Sequence, residues 1–220
     1  WRSLQNTVVF ALVIVPVQSA IALGLALLIN AKVRGVNFFR TVYFLPVVTS
    51  MVVVSMLWMF MYQPNGLINV LLAKIGIDGP DWLGDPRTAL FAIIVLSIWQ
   101  AVGMHMVIWL SGLQTIPGEL YEAAALDGAG PWRQFLHVTW PGLRQTATFI
   151  LITITIAAFS LFTQVNIMTQ GGPLDATSTV VFQAVRTGFQ QQQTGYASAI
   201  SLVFFAIVLV VSLIQRYFTR

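Results

Sequence analysis

Five stretches of this sequence contain no Asp, Glu, Lys or Arg: residues 3–31, 41–73, 88–118, 145–174 and 187–215, which are 29, 33, 31, 30 and 29 residues long. A helix needs roughly 20 mostly apolar residues to cross a bilayer, whereas an apolar helix in a soluble core seldom runs past about 14. Each run is therefore long enough for one span with interfacial residues to spare. Charged residues make up only 8% of the chain, against about 25% in soluble domains. A soluble fold of 220 residues could not cover that much apolar surface. In lipid every backbone polar group must be paired within the spanning segments, which leaves helices for runs of this length. The expectation is an all-α integral membrane protein with five spanning helices, near 7–29, 40–62, 88–113, 145–169 and 196–215.

The second span should be kinked at Pro46, since proline removes one helical hydrogen bond and neighbouring helices can re-satisfy the freed carbonyl. Residues 63–87 form a polar loop punctuated by Pro64, Gly66, Gly76, Gly79, Pro80, Gly84 and Pro86. Within it GLINVLLAKIG is amphipathic and reads as a short interfacial helix. Basic residues set the orientation. With the turn at 30–40 in the cytoplasm, alternation puts 114–144 and the C-terminus there too. Seven basic residues then lie inside (Lys32, Arg34, Arg40, Arg133, Arg144, Arg216, Arg220) and four outside (Arg2, Lys74, Arg87, Arg186). The chain opens on Trp1 directly before a span, so it reads as cut from a longer protein, with one further span upstream and six in all.

Several chemistries are excluded. The absence of cysteine removes disulfides, thiol catalysis and thiolate metal sites. Only two lysines occur, Lys32 and Lys74, and neither follows a glycine, so the chain carries no phosphate loop for a nucleotide. No Lys/Arg-rich run points to nucleic acid. No acid lies in any span, which argues against a proton- or ion-coupled carrier. His105 and His137 have no second ligand at metal spacing, so no metal and no cofactor are expected. No nucleophile–base pair marks an enzyme, and Ser97, Ser111 and Ser160 read as interhelical hydrogen-bonding residues.

The loop 114–144 is the most informative segment. Pro117 and Glu119 suit a helix start, because proline fits the first turn and an acid complements the dipole. Glu122 to Leu126 continue that helix, Gly128 and Gly130 break it, and a second short helix runs from Pro131 to Pro141. Small side chains on such a knob allow close approach by another surface. A tightly packed hairpin with no partner fits the same residues.

Here the sequence resembles the permeases of binding-protein-dependent ABC importers. Their signature is E-A-A, three residues, Gly, nine residues, then I-x-L-P. This chain has Glu122-Ala123-Ala124, then Gly128, then Val138-Thr139-Trp140-Pro141 at the same spacing, with Val and Trp replacing Ile and Leu. The flanking Gly171-Gly172-Pro173 and RGVNFFRTVYFLP are similar to the carbohydrate branch, maltose-permease-like or glycerol-3-phosphate-permease-like. The resemblance implies a type I importer transmembrane domain over 1–220, with 114–144 as the cytoplasmic loop that docks into an ATPase. Glu122, Ala123, Ala124, Ala125, Leu126, Asp127, Gly128 and Pro141 would be the coupling residues. It implies partners as well: a second EAA-type permease, two ATP-binding cassette subunits and an extracytoplasmic solute-binding protein, all in or at the bacterial inner membrane and its lipid. ATP hydrolysis would belong to the partner. An ion-driven carrier is the runner-up, and a membrane enzyme or scaffold the third reading.

Polar residues inside spans are costly and often line a path. Ser97, Gln100 and Met104 share one helix face, and Ser160, Thr163, Gln164 and Asn166 cluster in the fourth span. Each also fits a role in holding helices together. Carried over by position, the resemblance places Ser97, Gln100, Ala101 and Met104 on the substrate path, with Ile154, Ala157, Ala158 and Leu161 opposite. The latter four are apolar here. The expected path residues are Ser97, Gln100, Met104, Ala158, Leu161 and Gln164, with Trp99 as a platform for a sugar ring or as packing.

Overall fold

The computed structural model describes residues 1–30 and 36–218. Lys32, Arg34 and Arg220, used above for orientation, lie outside them. Among the described residues the elements are α-helices and two π-helical turns. Four helical stretches among them are long and apolar enough to cross a membrane, one being the interrupted run Arg144–Met168, and a fifth crossing is available from a bent pair.

The first crossing is α1 (Arg2–Asn30), which runs through Pro16 unbroken. The second apolar run is not the single kinked span expected over 40–62. It forms α2 (Val36–Val48) and α3 (Met51–Met61), bent by 99° across Thr49 and Ser50. Pro46 sits inside α2, three residues before the break, so the proline weakens the segment without being the bend itself. The freed carbonyls find partners both within the turn and farther along the chain. Thr49 Oγ1 donates to Leu45 O at 3.4 Å, the Thr49 N–H donates to Pro46 O at 3.3 Å, and Gln100 Nε2 reaches Pro46 O at 3.5 Å.

A short turn leads to α4 (Leu67–Lys74), and the loop behind it is closed by side chains. Asn69 Nδ2 donates to Pro64 O and Pro80 O, and Trp82 Nε1 donates to Asn69 Oδ1 at 2.7 Å. Tyr62 Oη donates to Ala92 O at 3.0 Å, which fixes the loop to the helix that follows.

That helix, α5 (Ala89–Gln114), is the centre of the subunit. Ile93, Leu96, Met106 and Trp109 on it are almost fully buried, and α1, α2 and α9 pack around it. The Gln18 amide of α1 and His105 Nδ1 of α5 are 2.8 Å apart, both buried, which is the interhelical bond expected of a membrane histidine. At Gly103 a Cβ would collide with the Tyr43 carbonyl, so only glycine lets α2 come this close.

The segment after α5 holds α6 (Gly118–Leu126) and α7 (Pro131–Gln134). A π turn over Phe135–Thr139 follows, and then α8 (Trp140–Gly142). The fourth span begins at Arg144 as α9 (Arg144–Phe159) and does not continue to 169 as one helix. It breaks at Ser160 and resumes as α10 (Thr163–Met168). The break is sustained from outside: Thr179 Oγ1 donates to Leu161 O at 2.8 Å, replacing an intrahelical partner.

The loop at 170–179 is pinned to the start of α1. Asn6 Nδ2 donates to Asp175 O at 2.8 Å and to Ser178 O at 2.9 Å, and the Val180 N–H donates to Thr7 Oγ1 at 3.1 Å. Thr179 then caps α11 (Val180–Val185) by accepting from the Phe182 N–H. A π turn over Arg186–Gln190 leads to α12 (Thr194–Phe218), which packs on α9 and α11 from one side and leaves most of its surface outward. Gln215 Nε2 donates to Thr155 Oγ1 at 2.8 Å, and the Phe159 and Phe204 rings lie 5.9 Å apart.

Candidate functional site: an exposed helical knob and two broken spans

The knob is α6 with the α7–π–α8 segment. None of the residues of α6 is buried. Glu119 lies in its first turn, where a carboxylate complements the helix dipole. At its C-terminal end the N–H of Ala129 donates to Ala124 O at 2.9 Å and that of Gly128 to Ala125 O at 3.0 Å. These are the two bonds of a Schellman motif, with Gly128 in the left-handed position at φ +76°. The alanines of the EAA segment thus hold the turn with their carbonyls while their side chains stay small. A Cβ at Gly128 would meet no atom within 4 Å, so the space beside it is open.

The return segment braces this helix. Tyr121 Oη and Thr139 Oγ1 are 3.0 Å apart, and Gln134 Nε2 donates to Ala129 O at 3.1 Å. Trp132 stacks on Phe135 at 5.7 Å between centroids, and Phe135 lies 6.4 Å from Trp140. Pro141 does not end this helix, as the sequence led us to expect: the chain stays helical to Gly142 and turns at Leu143. Proline cannot donate to the carbonyl four residues back, and the helix meets that loss by widening into the π turn before it. The outer surface of the knob mixes apolar and acidic side chains: Leu126 is 91% exposed and Trp132 70%. Glu122, Ala123, Ala125 and Asp127 are exposed beside them.

The expected path residues fall into two groups. Ser97 and Gln164 are both buried and meet, with Gln164 Nε2 donating to Ser97 Oγ at 3.4 Å and Ser97 Oγ to Ile93 O at 2.7 Å. Ala158 and Leu161 are also buried inside this subunit and offer no surface in this conformation. Gln100 is half-buried at the α2–α3 elbow, while Met104 and Trp99 are exposed on α5. Trp99 packs against Trp58 of α3 at 5.4 Å, and Trp58 against Tyr62, so its ring is held from behind.

The residues that the sequence reading missed are those of the elbow itself. Thr49 and Ser50 are exposed in the break. Irregular backbone at membrane depth is tolerated only where it is buried in protein or lines a water-filled cavity. A polar pair three residues after a proline inside an apolar run was the available signal.

Comparison with known proteins agrees with this architecture. The family described as binding-protein-dependent transport system inner membrane component matches residues 18–220. A protein named a probable ABC transporter permease, YurN, of Bacillus subtilis (strain 168) is 40% identical over all of this chain and 77% of its own length. The lactose transport system permease LacF of Rhizobium radiobacter is 38% identical over all of this chain and 76% of its own. The arabinooligosaccharides transport system permease AraP of Bacillus subtilis (strain 168) is 32% identical over 98% of this chain and 69% of its own. Among solved structures, a chain of a bacterial ABC transporter that imports the acidic polysaccharide alginate superimposes with a TM-score of 0.90. It is 24% identical, over 100% of this chain and 78% of that one, which speaks to the fold. With spans, central helix and EAA knob all in place, the chain belongs to the family of binding-protein-dependent transport system inner membrane components, the permeases of ABC importers.

Proposed function

We propose that this chain is one of two permease subunits of an ATP-driven importer that moves a sugar, or a related polyol or sugar phosphate, across the bacterial cytoplasmic membrane by alternating access. The observation that carries the reading is α6: a capped helix none of whose residues its own chain buries, presenting small and apolar side chains together with Glu119 and Glu122. Such a surface supports docking into an ATP-binding subunit, which would hydrolyse the nucleotide that this chain has no loop to hold. A second EAA-type permease, two such ATPases and an extracytoplasmic solute-binding protein complete the assembly. The coupling contacts are Glu122, Ala123, Ala124, Ala125, Leu126, Asp127, Gly128 and Pro141. Uncharged polar groups in the spans suit the hydroxyls of such a solute, and the names of the relatives point to sugars. Uptake by proteoliposomes holding the complete assembly should require both internal ATP and the external binding protein. Uptake driven by an ion gradient alone would refute the proposal.

We place the solute path at the two breaks, 49–50 and 160–162, since discontinuous helices near the midplane are where transporters expose polar backbone to solutes. Gln100 is the strongest hydrogen-bonding candidate there, because an amide offers both donors and an acceptor to hydroxyls. Losing one neutral hydrogen bond costs about 1 kcal/mol, or roughly fivefold in affinity. Gln100→Ala should therefore show weaker apparent affinity for uptake with the complex assembled in normal yield. Reduced yield with unchanged affinity would assign Gln100 to bracing Pro46 O instead.

The same reading puts 114–144 in the cytoplasm and 63–87 outside. The chain has no native cysteine to interfere, so single cysteines at Asp127 and Asp78 can be probed with an impermeant thiol reagent in intact cells. Asp78→Cys should label and Asp127→Cys should not. Labelling of both from outside would overturn the topology.

A further inference from the structure

The α4 helix carries an exposed apolar stripe that the transport reading does not use. Leu67, Val70, Leu71 and Ile75 recur at helical spacing and are each 46–70% exposed. Lys74 projects from the same face, between Val70 and Leu71 in angular position. Asn69 on the opposite face is buried and turned inward to Pro64, Pro80 and Trp82.

We propose that α4 is a membrane-interface anchor. Its aliphatic stripe beds into the acyl region of the leaflet on the 63–87 side, and Lys74 extends to the phosphates of that leaflet. Three observations favour lipid over a protein partner. The stripe holds only aliphatic residues and one lysine, whereas protein interfaces are enriched in aromatics and arginine and depleted in lysine. Aliphatic stripes flanked by lysine are what interfacial helices present, the long stem lying along the apolar surface while the ammonium reaches the headgroups.

The second observation is position. Only Tyr62 to Gly66 separate α3 from α4, and a Cβ at Gly66 would run into the Phe60 and Met61 backbone. The stripe of α4 thus starts where the exposed apolar stripe of α3 ends, at Val53, Leu57 and Phe60. The third is charge segregation. The acids of this loop, Asp78, Asp81 and Asp85, all follow the turn at Gly76 and leave Lys74 as the one charge on the helix. An anchor here would hold the outer half of the broken span at a set depth while the α2–α3 elbow moves. The inference goes beyond the transport reading and takes from it only the side and the assembly, and the quenching result stands whether or not the complex transports.

A single cysteine at Leu71, labelled with an environment-sensitive fluorophore, tests it in the assembled importer reconstituted into phosphatidylethanolamine–phosphatidylglycerol vesicles. Lipids brominated on the acyl chains should quench Leu71→Cys strongly and Asp78→Cys hardly at all, with Val70→Cys repeating the result if Leu71→Cys assembles poorly. Quenching by aqueous iodide would show the stripe in water and overturn the proposal. Shielding from both quenchers would show a protein covering the stripe and overturn it equally.

Discussion

Gly128→Trp should leave the importer in the membrane and abolish the link between ATP hydrolysis and uptake. Two separate effects combine at this position. Gly128 holds the left-handed conformation at φ +76°, where an L-residue costs about 1–2 kcal/mol. That strain falls on an exposed turn whose two Schellman bonds and brace at Gln134 remain, so the knob should fray without the spans separating. The second effect is steric. A Cβ there meets nothing within 4 Å, so an indole would grow from open space at the surface and block whatever docks. Asparagine tolerates the left-handed region better than other L-residues, so Gly128→Asn should retain more coupled transport than Gly128→Trp. The measurement is the ratio of ATP hydrolysed to solute imported in proteoliposomes, with complex yield from detergent extracts as control. Normal transport by Gly128→Trp would remove Gly128 from the coupling surface.

Gly103→Leu should act in the opposite manner, through assembly. Substituting glycine by alanine inside a helix ordinarily gains about 0.8–1 kcal/mol of propensity. At Gly103 the added Cβ meets the Tyr43 carbonyl, a backbone atom that cannot rotate away. Overpacking costs typically about 1–3 kcal/mol, so the contact outweighs the propensity even for alanine. With leucine, α2 must leave α5, and the elbow loses the Gln100–Pro46 contact with it. Less assembled complex and a lower thermal midpoint are expected for Gly103→Leu, with Gly103→Ala intermediate. Gly24→Ala in α1, where a Cβ meets nothing within 4 Å, is the control and should leave yield and thermal midpoint undiminished, its only effect being the gain in helix propensity. An unaffected Gly103→Leu complex would mean that α2 does not need its close approach.

Chain order and hydropathy carried much of this protein. Among the described residues, the four long apolar stretches and the bent pair each overlap one of the five charge-free runs, because exclusion of charge from hydrocarbon is a one-dimensional constraint that a sequence records directly. The knob was equally legible. Its helix start at Pro117–Glu119 and its stop at Gly128 are local capping rules, and α6 lies where they put it. Family membership followed from the same segment, since its spacing is a property of sequence alone.

What the sequence could not decide is where two of those runs stop being helices. Pro16 and Pro46 carry the same local penalty, yet α1 passes through one unbroken while the other precedes a 99° bend. The difference lies in neighbours distant in sequence: Gly103 admits the α2 backbone, Gln100 reaches a carbonyl near the break, and α10 packs on α3 beyond it. The fourth span breaks for the same kind of reason, because Thr179, eighteen residues on, supplies the donor that Leu161 O would otherwise lack. Ser97 and Gln164 were visible as polar residues in lipid, but only packing made them partners of each other. A broken helix in a membrane survives only if its freed backbone groups find partners. Those partners come from other parts of the chain, which is why tertiary structure, and not local sequence, set the two breaks.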